Sequence, residues 1–213
     1  MNKYIGEIIL AAFFDKHSKD WDKNPSRTQR TIEISKSIKQ IVNLTKNSKI
    51  LDFGCGTGVL GLEFVDMVKE VWFADVSEGM LSEVRNKLKD RNIKNAVTVN
   101  IDNNNSLSKF DGVFTIMTLH HIVNVEQQIF KMISWLNKGG YICICDLDKE
   151  DGSFHSSDES VPHKGFSREF IINILKKNNI NLIFDQNIYT INKEVNQIEK
   201  AYPVFMICGK LSN

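Results

Sequence analysis

A short apolar run that breaks into glycines constrains this chain more than any other feature. Lys49 to Phe53 reads as a strand, and Gly54-Cys55-Gly56-Thr57-Gly58 follows at once. Glycines at alternate positions let the backbone turn sharply and let a ligand approach without meeting a Cβ. A helix predicted from Thr57 to Val68 would offer the free N–H groups of its first turn to that ligand. The pattern then repeats. Strands are expected over Val71 to Ala74, Ala96 to Asn100, Asp111 to Met117 and Tyr141 to Leu147. Helices are expected over Ser77 to Arg91, Val125 to Leu136 and Ser167 to Asn178, with Ser77 and Ser167 as caps and Gly139-Gly140 closing the middle one. Such alternation implies a parallel sheet covered by helices on both faces. Ile180 to Ile191 and Ala201 to Cys208 end the pattern. Only Asn192 to Lys200 joins them, too short for a helical crossover, so they should form an antiparallel hairpin.

Upstream, the first ~45 residues have helical period. Ile34, Ile38, Ile41 and Val42 make one apolar stripe, and Pro25-Ser26 sit where its helix would begin. No repeat or Pro/Gly/Ser-rich linker divides the sequence. A single domain over 1–213 is expected, with 1–45 as an N-terminal helical lid and 46–213 as the core. The 27 basic and 26 acidic residues leave a formal charge of +1. That balance supplies no global field for a polyanion and argues against a nucleic-acid partner. No apolar run reaches the ~20 residues of a membrane span, so neither a membrane association nor a secreted product is expected. Of the four cysteines, Cys143 and Cys145 alternate on one strand face. Together with Cys55 and Cys208 they read as buried free thiols in a cytoplasmic protein.

Three details narrow the ligand. Val59 stands where the dinucleotide fingerprint needs its third glycine. Asp52 lies at the strand end, where a carboxylate would repel a pyrophosphate but suit an ammonium group. Asp75 closes the second strand about 20 residues beyond Gly54, the expected place for an acid that accepts hydrogen bonds from ribose hydroxyls. A ligand with a ribose, an ammonium and no pyrophosphate fits S-adenosylmethionine better than NAD.

The stretches ILDFGCGTG (50–58), VWFADVSEGML (71–81), Ile101-Asp102, FDGVFTIMTLHHI (110–122) and LNKGGYICICD (136–146) resemble those of class I S-adenosylmethionine-dependent methyltransferases of small-molecule type. The resemblance implies a Rossmann-like three-layer α/β sandwich. Its seven-stranded, mostly parallel sheet would have order 3-2-1-4-5-7-6 with the last strand antiparallel. It also implies residue roles. Asp52, Gly54 and Gly56 would hold the methionine part of S-adenosyl-L-methionine, and Asp75 the ribose. Val76 and Met80 would flank the adenine, with Asp102 facing its amino group beside Ile101. Thr115 would line the methionine portion. Asp102 is alternatively a turn residue of its Asp-Asn-Asn-Asn run, and Met80 a core residue of its helix.

On the acceptor side the sequence says less. Thr115-Ile116-Met117-Thr118 contains no proline, unlike the motif of enzymes that methylate base amino groups. His120 is the candidate for a substrate-lining base, with a backbone-bonded structural histidine as the alternative, and His121 is expected to pack inward. The polar segment Asp146 to Phe166 reads as a lid or substrate wall carrying His155 and His163, and no metal site is expected. Trp21 either closes over the cofactor or anchors helix to sheet. The expected activity is methyl transfer to O, N or C of a small molecule by a monomer or homodimer. The alternatives are a non-catalytic protein that binds the cofactor or its product, and an NAD-linked oxidoreductase.

Overall fold

The computed structural model describes residues 11–101, 107–155 and 161–212. Helix α1 is described over residues 11–17 and runs into a 3-10 turn, Ser18–Lys23. Helix α2 (Pro25–Ile41) follows, its first turn capped by the Asn24 side chain, which accepts from the Ser26 N–H. Pro25 suits that first turn because its missing N–H would have had no helical partner. Strand β1 (Lys49–Phe53), the short helix α3 (Val59–Leu62), β2 (Glu70–Asp75), α4 (Glu78–Asp90) and β3 (Ala96–Asn100) build one half of the sheet. Strand β4 (Phe110–Ile116), helix α5 (Val125–Ser134), β5 (Leu136–Leu147), α6 (Arg168–Lys177), β6 (Ile180–Val195) and β7 (Ile198–Leu211) build the other.

The strands lie in the order β3-β2-β1-β4-β5-β7-β6. β1 to β5 are parallel, while β7 pairs antiparallel with both β5 and β6. The expected Rossmann-like sheet is therefore present. Each face carries its own core. Ile34 and Ile38 of α2, with Leu81 and Val84 of α4, pack on one side. Ile129 and Met132 of α5, with Ile171 and Ile174 of α6, pack on the other. β1 is central and buried on both faces, which is why its sequence is a continuous apolar run. The sheet order reverses between β1 and β4. A crevice opens there at the carboxyl ends of the strands, the usual ligand position in an open α/β sheet.

Three sequence expectations are corrected. The segment after the glycine loop is helical only over Val59–Leu62. Beyond it, Glu63, Phe64 and Met67 donate to carbonyls three residues back, so i−3 turns bury Phe64 and Val68 in place of a long helix. Gly139 and Gly140 do not cap α5. They belong to β5, beside the irregularity in its pairing with β4. Cys143 and Cys208 are disulfide-bonded, because the antiparallel register sets them directly opposite each other on one face. Cys55 and Cys145 are free and buried.

Candidate functional site

The glycine loop brings two carboxylates to adjacent strand ends. Gly54 and Gly56 both have left-handed backbone, with φ of +65° and +52°. A Cβ on Gly54 would lie 2.2 Å from Cγ2 of Thr118, so the loop packs tightly against the segment after β4. A Cβ on Gly56 would meet nothing within 4 Å, because that glycine faces open space. Asp52 is 2% exposed. Its carboxylate accepts from the N–H of Gly61 at 2.9 Å, which satisfies a free donor in the first turn of α3. Burial pushes the Asp52 carboxyl up to about 7, opposed by the Gly61 hydrogen bond and reinforced by Asp75. Asp75 is 8% exposed and accepts from the N–H groups of Gly56 (2.8 Å) and Ser77 (2.9 Å). Burial raises its carboxyl above the ordinary range as well.

Both carboxylates line a cavity of about 670 Å³. Of the residues singled out in the sequence, Trp21, Asp52, Gly54, Gly56, Asp75, Val76, Met80 and Ile101 share its wall. Thr115 does not. It is fully buried in β4, while Ile116, Met117 and Thr118 reach the cavity in its place. Strand alternation turns Thr115 away from the void that its neighbour Ile116 lines. Asp102 lies outside the described residues.

The two histidines exchange the places expected of them. His120 is 1% exposed and off the cavity wall. Its Nδ1 donates to Asp146 Oδ1 at 2.5 Å, while Asp146 Oδ2 accepts from the backbone N–H groups of Leu119 and His120. A buried carboxylate is costly without donors, and His120 is one of the donors that complete this one. His121 lines the cavity, its ring edge-on to Phe14 at 5.3 Å, and its buried Nδ1 has no hydrogen-bond partner among the described residues. Burial, followed by the neighbouring His120 and His155, pushes His121 down to about 2, so its ring is neutral across the working range. The loop after β5 is not a wall of this cavity: none of its described residues lines it. His163 Nε2 is spent on the carbonyls of Ile122 and Val123. Asp151 and Ser153 bond Lys200 and Tyr202 of β7.

The N-terminal segment closes the site from above. Asp15 Oδ1 accepts from Ser77 Oγ (2.6 Å) and from the Gly79 N–H (2.8 Å) at the start of α4. Asp22 accepts from Thr57 Oγ1 at 2.6 Å and pairs with Lys87 at 2.5 Å. Between these hooks Trp21 meets Phe14 edge-on, and the Arg27 guanidinium lies 4.1 Å from the Trp21 ring centre. Sequence reasoning missed Arg27, Arg30 and Thr31 of α2, Gln128 of α5 and Trp135 just after it, all on the cavity wall. One signal was available for α2. Arg27, Arg30 and Thr31 continue the Ile34 and Ile38 stripe at helical spacing, so a polar half-face follows directly on a core half-face.

A model of the methyltransferase domain matches residues 51–142. The chain is 28% identical over 159 residues to an uncharacterized methyltransferase of Schizosaccharomyces pombe, a match covering 65% of this chain and 56% of that protein. It is 23% identical to malonyl-[acyl-carrier protein] O-methyltransferase 2 of Ilyobacter polytropus, over 74% of this chain and 61% of the relative. The chain thus spans less than two thirds of either relative's length. Among solved structures, magnesium protoporphyrin IX methyltransferase from Synechocystis PCC 6803 with bound SAM superposes with a TM-score of 0.70, at 15% identity and 97% coverage of both chains. An S-adenosylmethionine-dependent methyltransferase from Clostridium acetobutylicum ATCC 824 gives 0.66 at 19% identity, covering 94% of this chain and 99% of that one. Those identities speak for the fold alone. Sheet order, glycine loop and paired strand-end carboxylates define a class I methyltransferase fold. With the matched domain and these relatives, the chain is similar to the S-adenosylmethionine-dependent class I methyltransferases.

Proposed function

We propose that this protein transfers the methyl group of S-adenosylmethionine to a small molecule enclosed beneath its N-terminal segment. The observation that carries the reading is the meeting of Asp52, Asp75 and the open face of Gly56 on one cavity wall. Two buried carboxylates beside a void suit a ligand that brings an ammonium and a diol. Gln128 adds a buried amide nitrogen with no hydrogen-bond partner among the described residues, on the same wall as Ile101 and Trp135. The cofactor supplies an electrophilic methyl on a positively charged sulfur. This chain's residues then bind, orient and exclude water.

In this reading Asp52 holds the ammonium and Asp75 accepts from both ribose hydroxyls. Val76, Met80 and Ile101 sandwich the base, with Asp102 at its amino edge. His121 takes the acceptor-side role expected of His120. Its neutral ring accepts a hydrogen bond from an O–H or N–H of the acceptor, which aims the lone pair beside that proton at the methyl. Phe14 and Trp21 close the site over it. A covered cavity of this size suits a small acceptor.

Calorimetric titration with S-adenosylhomocysteine tests the cofactor assignment. Binding to the wild type is expected, and Asp75→Asn should weaken it at least tenfold, because hydrogen bonds to a charged group contribute about 1.5–3 kcal/mol each. Undiminished affinity in the variant would remove Asp75 from the site. Binding of NADH in place of S-adenosylhomocysteine would point to oxidoreduction.

A further inference from the structure

We propose that His121 is the trigger of a pH-sensitive latch, in which a proton taken up by a cluster of three histidines releases the N-terminal segment from the cavity. The latch is independent of which molecule fills the cavity, and so of the methyltransferase reading. Segments distant in sequence bring the imidazoles together. The rings of His120 and His121 lie 4.2 Å apart, centre to centre. His155, on the loop after β5, lies 5.0 Å from the first and 5.5 Å from the second. Phe14 of α1 completes the group, edge-on to His121 at 5.3 Å. Phe14 in turn meets Trp21, and Trp21 meets the Arg27 guanidinium. The covering segment thus rests on the histidines through a run of ring contacts.

The seat suits a neutral imidazole only. His121 Nδ1 is shielded from solvent and has no hydrogen-bond partner among the described residues, so no acceptor there receives an added N–H. A proton would leave a buried cation unpaired, which is costly. A cation–π contact with Phe14 would offset part of that cost. The charged groups around the ring do not offset the rest. Asp146, at the end of β5, gives its oxygens to Leu119, His120 and Leu147. Arg27 and Arg30 of α2 and Lys131 of α5 add positive charge to the cavity wall. The acids of that wall are committed elsewhere. Asp22 holds Thr57 and Lys87, Asp52 holds Gly61, and Asp75 holds Gly56 and Ser77. On α1, Asp15 holds Ser77 and Gly79, and His17 turns its Nδ1 to the Phe13 carbonyl. Beyond the loop after β5, His163 Nε2 is held by the carbonyls of Ile122 and Val123.

Linkage gives the direction of the effect. With the segment closed, burial, followed by His120 and His155, holds His121 at about 2 instead of 6.5. Once Phe14, Trp21 and Asp22 leave the cavity wall, the ring meets water and takes up its proton as an ordinary imidazole does. The closed form therefore binds that proton less tightly than the open form. Its advantage is complete above 6.5 and is lost progressively as pH falls. Asp52 and Asp75 act in the opposite sense. Burial raises both carboxyls, so acid favours the form that buries them. Opening on acidification thus belongs to the histidines and not to the two carboxylates of the site.

The test measures amide hydrogen exchange in the full chain without ligand, corrected for the intrinsic effect of pH. Protection over residues 14–24 should be about tenfold lower at pH 5.5 than at pH 7.5, because an exposed imidazole gains its proton in that range. Protection in β4 and α6 should stay as it is. His121→Phe keeps a ring against Phe14 but takes up no proton, so it should hold the protection of residues 14–24 constant. His121→Gln replaces it if the phenylalanine protein does not fold. Histidine NMR supplies a second readout. Asp15→Ala frees the segment from α4, and it should move the titration of His121 up toward 6.5. Protection of residues 14–24 that ignores pH in the wild type overturns the proposal. So does a loss that is equal in the His121 variants, or one spread evenly over the whole molecule. A His121 titration unmoved by Asp15→Ala overturns it as well, by showing that the segment is not what keeps the ring neutral.

Discussion

Asp52 is poorly placed for charge until a cation joins it. An unfolded aspartate ionises near 3.8, whereas burial holds this one to about 7. The folded, ligand-free protein therefore keeps a proton that the unfolded chain has lost. The stabilisation this gives is full below the unfolded value and disappears as pH rises through about 7. The gap between the two values corresponds to ~4 kcal/mol at most. A ligand ammonium reverses the sign by favouring the ionised form, so binding must release a proton at acid pH. The affinity for S-adenosylhomocysteine is expected to rise by up to about tenfold per pH unit between 5 and 7 and then level. Asp52→Asn should flatten that slope. Calorimetry in buffers of different ionisation enthalpy measures the proton directly, and its absence near pH 6 would dissociate Asp52 from the ammonium. Asp52 was legible because a charge at the end of an apolar strand is conspicuous. The order of His120 and His121 was not. They are neighbours in a 3-10 turn, Leu119–His121. Their orientation is chosen by Asp146, a buried carboxylate distant in sequence that claims the first of them.

At the scale of elements, the alternating strands and the caps of α4 and α6 were readable because each rests on local signals. Ser77 and Ser167 accept from the N–H groups of Met80 and Phe170 as their positions suggest. The short α3 was not readable. Leu60, Phe64 and Val68 keep helical spacing, yet Gly61 packs close on the Phe73 ring and the chain turns early. The closure of the N-terminal segment was equally hidden, since it depends on contacts between residues far apart in sequence. Asp15 alone engages Ser77 Oγ and the Gly79 N–H. Its replacement by alanine leaves Ser77 capping α4 but frees the segment. Stability should fall by ~1–2 kcal/mol. Trypsin should then cut after Lys16, Lys19 and Lys23 faster than in the wild type, while Lys39, paired with Glu63, keeps its resistance. Equal cutting rates would mean that the Asp15 contacts do not hold the segment down.

The whole molecule divides along its sheet. β1 and β2 present the carboxylates assigned to the cofactor, while the turn after β4 presents His121, assigned to the acceptor. The near-zero net charge conceals this arrangement: Asp22, Asp52 and Asp75 share the lining of a single cavity with Arg27, Arg30 and Lys131. A ligand that binds only the folded state stabilises it in proportion to the logarithm of its excess, ~2.7 kcal/mol at a hundred times the dissociation constant. For a chain of this length each kcal/mol is worth about 2–4 °C. Saturating S-adenosylhomocysteine should therefore raise the melting temperature by roughly 5–11 °C. Hydrogen exchange should show where that gain is spent. Protection is expected in the glycine loop, at the start of α4 and in residues 15–24, the parts that meet on the cofactor side. The β6–β7 hairpin turns at Asn196-Gln197, far along the strands from the cavity, and should exchange as before. Protection confined to the hairpin, or spread evenly over both halves, would contradict the assignment of the two carboxylates to one ligand.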